Sequence, residues 1–163
     1  MFVLGIDPGL SRCGYCCIDA RRRPARAVAM GVIRTPPGDP VPQRLAELQS
    51  EVRALLDELS PSVVAIERVL FQNNVRTAMS VGQASGVVMA EAAGRGLGVF
   101  EYSPNQVKEA VAGHGGADKE QVGTMVRTLL GLDEVPRPAD AADAAAIALC
   151  HLAQSAPMVG SVR

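Results

Sequence analysis

No run of apolar residues in this 163-residue chain exceeds seven, as in Ala144 to Cys150, and a helix that spans a bilayer needs about 20. The N-terminus has no basic leader either. Met1 to Ile6 meets Asp7 at once, so it does not read as a signal peptide, and a cytoplasmic protein with no membrane contact is expected. Neither sign of charge is in excess: Lys+Arg is 16 against 17 Asp+Glu, a net charge of −1. That balance excludes a histone-like binder whose global field attracts nucleic acid, so any anionic partner must be held by locally placed charge. Cysteine is sparse, at four residues. Cys13-Gly14-Tyr15-Cys16 has C-x-x-C spacing, but the run from Cys13 to Ile18 alternates like a strand. No second C-x-x-C or H-x-x-H pair exists to complete a zinc site. Buried thiols in a reducing compartment are the expectation. Lysine is scarce beside arginine: Lys108 and Lys119 are the only two.

What is present is enough for one packed core: 48% hydrophobic and 20% charged residues. Phe2 to Ile6 predicts a buried strand that stops at Asp7-Pro8-Gly9. Gly14 to Asp19 and Ala27 to Thr35 predict two more, joined by the polar stretch around Arg21-Arg22-Arg23-Pro24. The period then changes. Leu45, Leu48, Val52, Leu55, Leu56 and Leu59 recur at helical spacing, which predicts an amphipathic helix over Val41–Leu59. Val63 to Ile66 is β-branched and unalternating, hence a strand covered on both faces. A helix over Val75–Ala93 follows, then a strand over Val99–Tyr102. Helices capped by Ser103 and Asp118 should run to about Ala112 and Leu130, and a last helix over Ala139–Gln154. Short turns imply an antiparallel meander for the first three strands, and helical crossovers imply parallel pairing for the rest. The fold class is therefore α/β, a mixed five-stranded sheet flanked by helices. One domain should cover residues 1–155, with a frayed tail over 156–163.

Two strands end in a carboxylate, Asp7 and Glu67, and strand ends at a sheet edge are where α/β folds build sites. Asp140 and Asp143, at i and i+3, share one helix face among alanines that let the helix lie close to a sheet. Four converging carboxylates repel one another. Two divalent cations, Mg²⁺ or Mn²⁺, would relieve this and could handle a phosphodiester without any Cys or His. Each residue also has a plainer role open to it. Asp140 could cap its helix, Asp7 could form the turn, and Glu67 could pair with Arg68 or Arg76. Gly113-His114-Gly115-Gly116-Ala117-Asp118-Lys119 approaches a P-loop but fails it, since Asp118 and Glu120 stand where Gly and Ser/Thr are required. Its glycines could still approach a DNA phosphate at the next helix.

Gly5-Ile6-Asp7-Pro8-Gly9, Ala65-Ile66-Glu67, Tyr102-Ser103-Pro104, Ala117-Asp118-Lys119 through Met125-Val126, and Ala139-Asp140-Ala141-Ala142-Asp143-Ala144 follow one another in this chain. In this order and spacing they resemble the RuvC family of Holliday-junction resolvases, over about Phe2 to Leu152. The resemblance implies an RNase H-like fold and a homodimer that nicks two opposing strands of a four-way DNA junction, leaving 5′-phosphate and 3′-hydroxyl ends. It also implies a RuvA–RuvB branch-migration partner. Asp7 would bridge two metals per subunit, Glu67 and Asp143 would complete their shells, and Asp140 would ligate or assist at the edge. Lys108 and Lys119 would lie near the scissile phosphate. The loop after Glu67 would reach the junction through Phe71, Asn73 and Arg76. Leu70, not Phe71, falls on the family's aromatic position. Phe71 packed beneath its own loop, and the lysines as solvated helix residues, are the plainer alternatives.

Three other readings compete. An actin-like or sugar-kinase ATPase shares the strand–Asp-x-Gly start but needs a second half-domain to clasp its nucleotide. Another RNase H-like nuclease would act on RNA–DNA hybrids or structured RNA. A junction-binding module with a dead site is disfavoured by four intact carboxylates. The stripe Ala78, Gly82, Gly86, Ala90, Ala93 on the helix Val75–Ala93 could serve the core or a symmetry mate, and the mate is the expectation.

Overall fold

The computed structural model describes residues 1–70 and 75–155. Phe71 and Asn73, and the tail over 156–163, lie outside the described residues. The chain runs β1 (Phe2–Asp7), β2 (Arg12–Asp19), β3 (Arg26–Arg34), α1 (Val41–Leu59), β4 (Val63–Glu67), α2 (Val75–Gly94), β5 (Gly98–Tyr102), α3 (Pro104–Ala112), α4 (Lys119–Leu130) and α5 (Ala139–Ser155). The strands form a sheet of order β3-β2-β1-β4-β5. β1–β2 and β2–β3 are antiparallel, while β1–β4 and β4–β5 are parallel. The meander and the parallel half fall as the connections predict. β1 joins the two halves, antiparallel to β2 on one side and parallel to β4 on the other, and its C-terminal end lies at the edge where α/β folds build sites.

Each face of the sheet carries its own core. On one, α1 and α2 lay Leu48, Val52, Leu56, Ala84 and Val88 over Leu4, Ile6, Val64 and Ile66. On the other, α3, α4 and α5 lay Val107, Val126 and Ile147 over Val3, Ile18 and Ala65. The C-x-x-C is split by this arrangement. Residues three apart in a strand point to opposite faces, so Cys13 joins the first core and Cys16 the second. They cannot act as a pair, and burial pushes both thiols up to about 12. All four cysteines are free and buried.

Two glycines decide where α5 sits. A Cβ on Gly5 would collide with the backbone carbonyl of Ala144, and one on Gly14 with that of Asp140. The helix backbone therefore rests directly on β1 and β2, at the level of the two acidic residues it carries. Tyr102 and His151 close the far part of this core: their hydroxyl and Nδ1 lie 2.8 Å apart, and the imidazole packs against Phe100. Burial lowers the His151 pKa. His151 is thus a satisfied core residue.

The stripe expected along α2 divides in two. Ala78 is buried, whereas Gly82, Gly86, Ala90 and Ala93 face solvent. The face that packs into the core is instead Ala84, Ser85, Val88 and Ala92. Both α1 and α2 contribute to one core, so α2 spends one side on its own protomer, and among the described residues nothing covers the other.

Candidate active site

Every carboxylate the sequence singles out sits at one edge of the sheet. Asp7 and Glu67 end the adjacent parallel strands β1 and β4, one residue beyond the paired Ile6 and Ile66. Across the antiparallel pair Asp7 faces Gly14, on which the backbone of Asp140 rests. Asp143 follows one helical turn later. β5 ends at the same edge, and Ser103, with a reciprocal Ser103–Gln106 capping box, starts the helix that carries Lys108. Asp118 starts α4 in the same way with Gln121, and Lys119 is its first residue.

Asp7, Glu67, Asp143, Lys108 and Lys119 line one open cleft of about 490 Å³. Asp140 stands outside this lining, at the rim. Arg76 lies on the exposed first turn of α2, also outside the cleft. The glycine segment leads into the Asp118 cap of α4. The Asp118 carboxylate accepts the Gln121 N–H at 2.8 Å and fills the helix start with negative charge.

The electrostatics of the cleft follow from its crowding. Burial pushes the Asp7 carboxyl up to about 7, aided by the charges of Glu67, Asp143 and Asp140 and opposed by Lys119. Glu67 is raised as well, by burial first and then by Asp143, with Lys119 and Lys108 pulling the other way. Lys119 donates to Asp143 Oδ2 at 3.0 Å, and this bond, with the surrounding carboxylates, holds its ammonium above the usual range. Asp140 is taken by Arg12, whose Nη2 lies 2.7 Å from Oδ2. Among the described residues no three such side chains stand already gathered for a metal ion. Two of the four carboxylates are held by cations of the protein itself. The other two, Asp7 and Glu67, are the ones whose charged forms the site disfavours.

The donor set fits a hard divalent cation. It is all oxygen, with no thiolate or imidazole at the edge. An excess of carboxylate over lysine and arginine leaves negative charge that a proton on Asp7 or a further cation neutralises. Asp7 and Glu67 at the strand ends and Asp143 on α5 are the residues that would hold it.

Arg12 and Arg44 carry roles that the sequence reading missed. Arg44, on the first turn of α1, is buried. Its Nη2 donates to Ser11 Oγ at 2.6 Å, and its Nε donates to Thr35 Oγ1 at 3.0 Å. The Thr35 hydroxyl donates in turn to the Leu10 carbonyl. This network locks the turn that follows Asp7. Arginine at the start of an amphipathic helix reads as solvated, and only the breaks at Pro36 and Pro40, which turn α1 back on the sheet, hint otherwise.

Comparison with known proteins gives one consistent result. Residues 3–151 match the family model of the crossover junction endodeoxyribonuclease RuvC. The chain is 55% identical over 150 residues to the crossover junction endodeoxyribonuclease RuvC of Leifsonia xyli subsp. xyli, covering 91% of this chain and 72% of that protein. The Moorella thermoacetica protein of the same name is 50% identical, covering 93% and 90%. Among solved structures, Thermus thermophilus RuvC in complex with a Holliday junction substrate superposes with a TM-score of 0.89 at 41% identity, covering 94% of both chains. The yeast mitochondrial Holliday junction resolvase Ydc2 superposes with a TM-score of 0.65 at 17% identity, over 93% of this chain and 78% of that one, a likeness of fold alone.

Proposed function

This chain belongs to the RuvC family of crossover junction endodeoxyribonucleases, and on that premise we propose how it resolves four-way (Holliday) DNA junctions. It is a divalent-metal-dependent nuclease that makes paired, symmetric nicks in two opposing strands, leaving 5′-phosphate and 3′-hydroxyl ends. The observation that carries the site assignment is the Asp7 carboxyl. It is held at the switch point of the sheet and pushed up to about 7 by burial and by three neighbouring acids. Such a group costs the fold stability, and a bound divalent cation would return it to its charged form as an oxygen ligand.

Two Mg²⁺ or Mn²⁺ ions per subunit, held by Asp7, Glu67 and Asp143 with Asp140 at the edge, would supply an activated water and neutralise the phosphate. The chain's own residues do the rest. Glu67 and Asp143, with Asp7, would hold the cations through which the scissile phosphate is positioned. Lys119 moves from Asp143 to the reacting phosphate, where a compact ammonium meets developing charge. Lys108, which lines the same cleft from α3, contacts the backbone of the cut strand. Arg76, Phe71 and Asn73 meet the junction centre, by phosphate contact and by stacking. The protein works as a homodimer through the exposed side of α2, in the cytoplasm, on junctions presented by RuvA–RuvB. No helix among the described residues is long and apolar enough to cross a membrane.

The test is a mobile synthetic four-way junction incubated with protein and Mg²⁺ or Mn²⁺. Plain duplex, RNA–DNA hybrid and structured RNA serve as competing substrates. Nicks mapped at symmetric positions in two opposing strands are expected, and preferential cutting of hybrid or RNA would overturn the assignment. In the same assay Lys119→Ala should slow cleavage at saturating junction roughly a hundredfold. Arg21→Ala, which removes a surface partner of Asp19, should leave the rate nearly unchanged. Equal small effects would return Lys119 to the solvated surface.

A further inference from the structure

The pairing of Arg12 with Asp140 joins two fixed backbones. Nε and Nη2 of Arg12 lie 2.9 and 2.7 Å from one oxygen, Oδ2 of Asp140. The Arg12 end is set by the buried Arg44 network on Ser11, Thr35 and Leu10. It is also set by pairing of Arg12 with Arg34 across β2 and β3. The Asp140 end is set by the seating of α5 on Gly14. Isolated surface pairs contribute little, because two mobile side chains must be ordered to form them. Here the scaffold has already ordered both ends. Arg12 is also better covered than Lys119, with 42% of its side chain exposed against 81%.

From this geometry we infer that Arg12 is a tethered cation that competes with divalent metal for Asp140. The inference rests on the reading of the acidic edge as a metal site, and adds that its outer position is filled by displacement. When Asp140 turns to a metal ion, Arg12 must release it, and the released guanidinium is left at the rim where the phosphate backbone passes. Metal affinity at this position is therefore set by a residue that is not a ligand. Lys119 does not duplicate the role, because its ammonium is freer and its partner Asp143 shares the cleft with Asp7 and Glu67.

The experiment measures Mn²⁺ binding to the DNA-free protein by calorimetry and by loss of the free-ion EPR signal. Arg12→Gln should tighten the weaker site on the order of tenfold, the effect of removing one nearby positive charge from a dication. Arg12→Lys, which keeps the charge, should stay near wild type. In an Asp140→Asn background, Arg12→Gln should change nothing. Unchanged melting temperature and circular dichroism keep a folding defect from imitating these results. Mn²⁺ uptake by wild type that Arg12→Gln leaves equal or weaker would overturn the inference alone and make Arg12 an orienting residue. Absence of Mn²⁺ uptake by wild type would overturn the metal reading of the acidic edge, and this inference with it.

Discussion

Asp7→Asn is expected to abolish cleavage while making the metal-free protein more stable. The two effects share one cause. Folding raises the Asp7 pKa from 3.8 to about 7, so the folded state holds this proton more tightly than the unfolded one. Below pH 3.8 the group is protonated in both states and costs nothing. As pH rises towards 7 the unfolded chain ionises first, and stability is lost across that window. Above pH 7 the full penalty stands. At about 1.4 kcal/mol per pKa unit it is on the order of a few kcal/mol. Asparagine keeps the shape without the charge. At pH 8 in chelator, Asp7→Asn should therefore melt several degrees above wild type, and at pH 4 the difference should vanish. Adding Mn²⁺ should raise the wild-type melting temperature, as any ligand of the native state does, and should barely move the variant. Junction cleavage should fall by three orders of magnitude or more, with junction binding largely kept because arginines and lysines hold the phosphates. Near wild-type cleavage, or no stabilisation at pH 8, would sink the role given to Asp7.

The parts legible in the sequence were those set by short-range pattern. Val63 to Ile66 reads as a doubly covered strand because nothing in it alternates, and it is one. The change to helical period at Val41 locates α1 to the residue. The carboxylates were visible because each interrupts or ends an apolar segment, where burial makes a charge costly unless it has a use. What stayed hidden depends on contacts across the chain. β2 begins at Arg12, two residues before the expected start at Gly14, because a polar residue after a turn carries no strand signal. Its partner Asp140 is 128 residues away. The meaning of Gly5 and Gly14 is equally non-local: they are small because α5 lies on them. The alternation that marked Cys13 to Ile18 as a strand also implies that Cys13 and Cys16 face opposite ways. The stripe on α2 was only half legible, since spacing shows which residues share a face but not which face meets the core.

That outward half of α2 carries the last expectation: Gly86→Gln should turn a dimer into monomers without harming the protomer. Val75 and Met79 are 68% and 60% exposed, and beside them Gly82 and Gly86 offer backbone with nothing within 4 Å of an added Cβ. A helix face that is apolar, close to flat and unfilled by the described residues of its own chain suits an equivalent helix brought in by a two-fold axis. A four-way junction has two equivalent strands to cut, so two clefts related by such an axis match its symmetry. Gln at position 86 projects into open space in the protomer. Gln is also a better helix former than Gly, by about 0.5–1 kcal/mol, so the isolated chain should melt no lower than wild type. Between two α2 helices, the same side chain forces the backbones apart. Sedimentation at micromolar concentration should show a dimer for wild type and a monomer for Gly86→Gln. The variant should still bind junction DNA, but singly nicked junctions should accumulate because the two cuts are no longer made within one complex. A monomeric wild type, or a Gly86→Gln dimer of unchanged stability, would place the interface elsewhere.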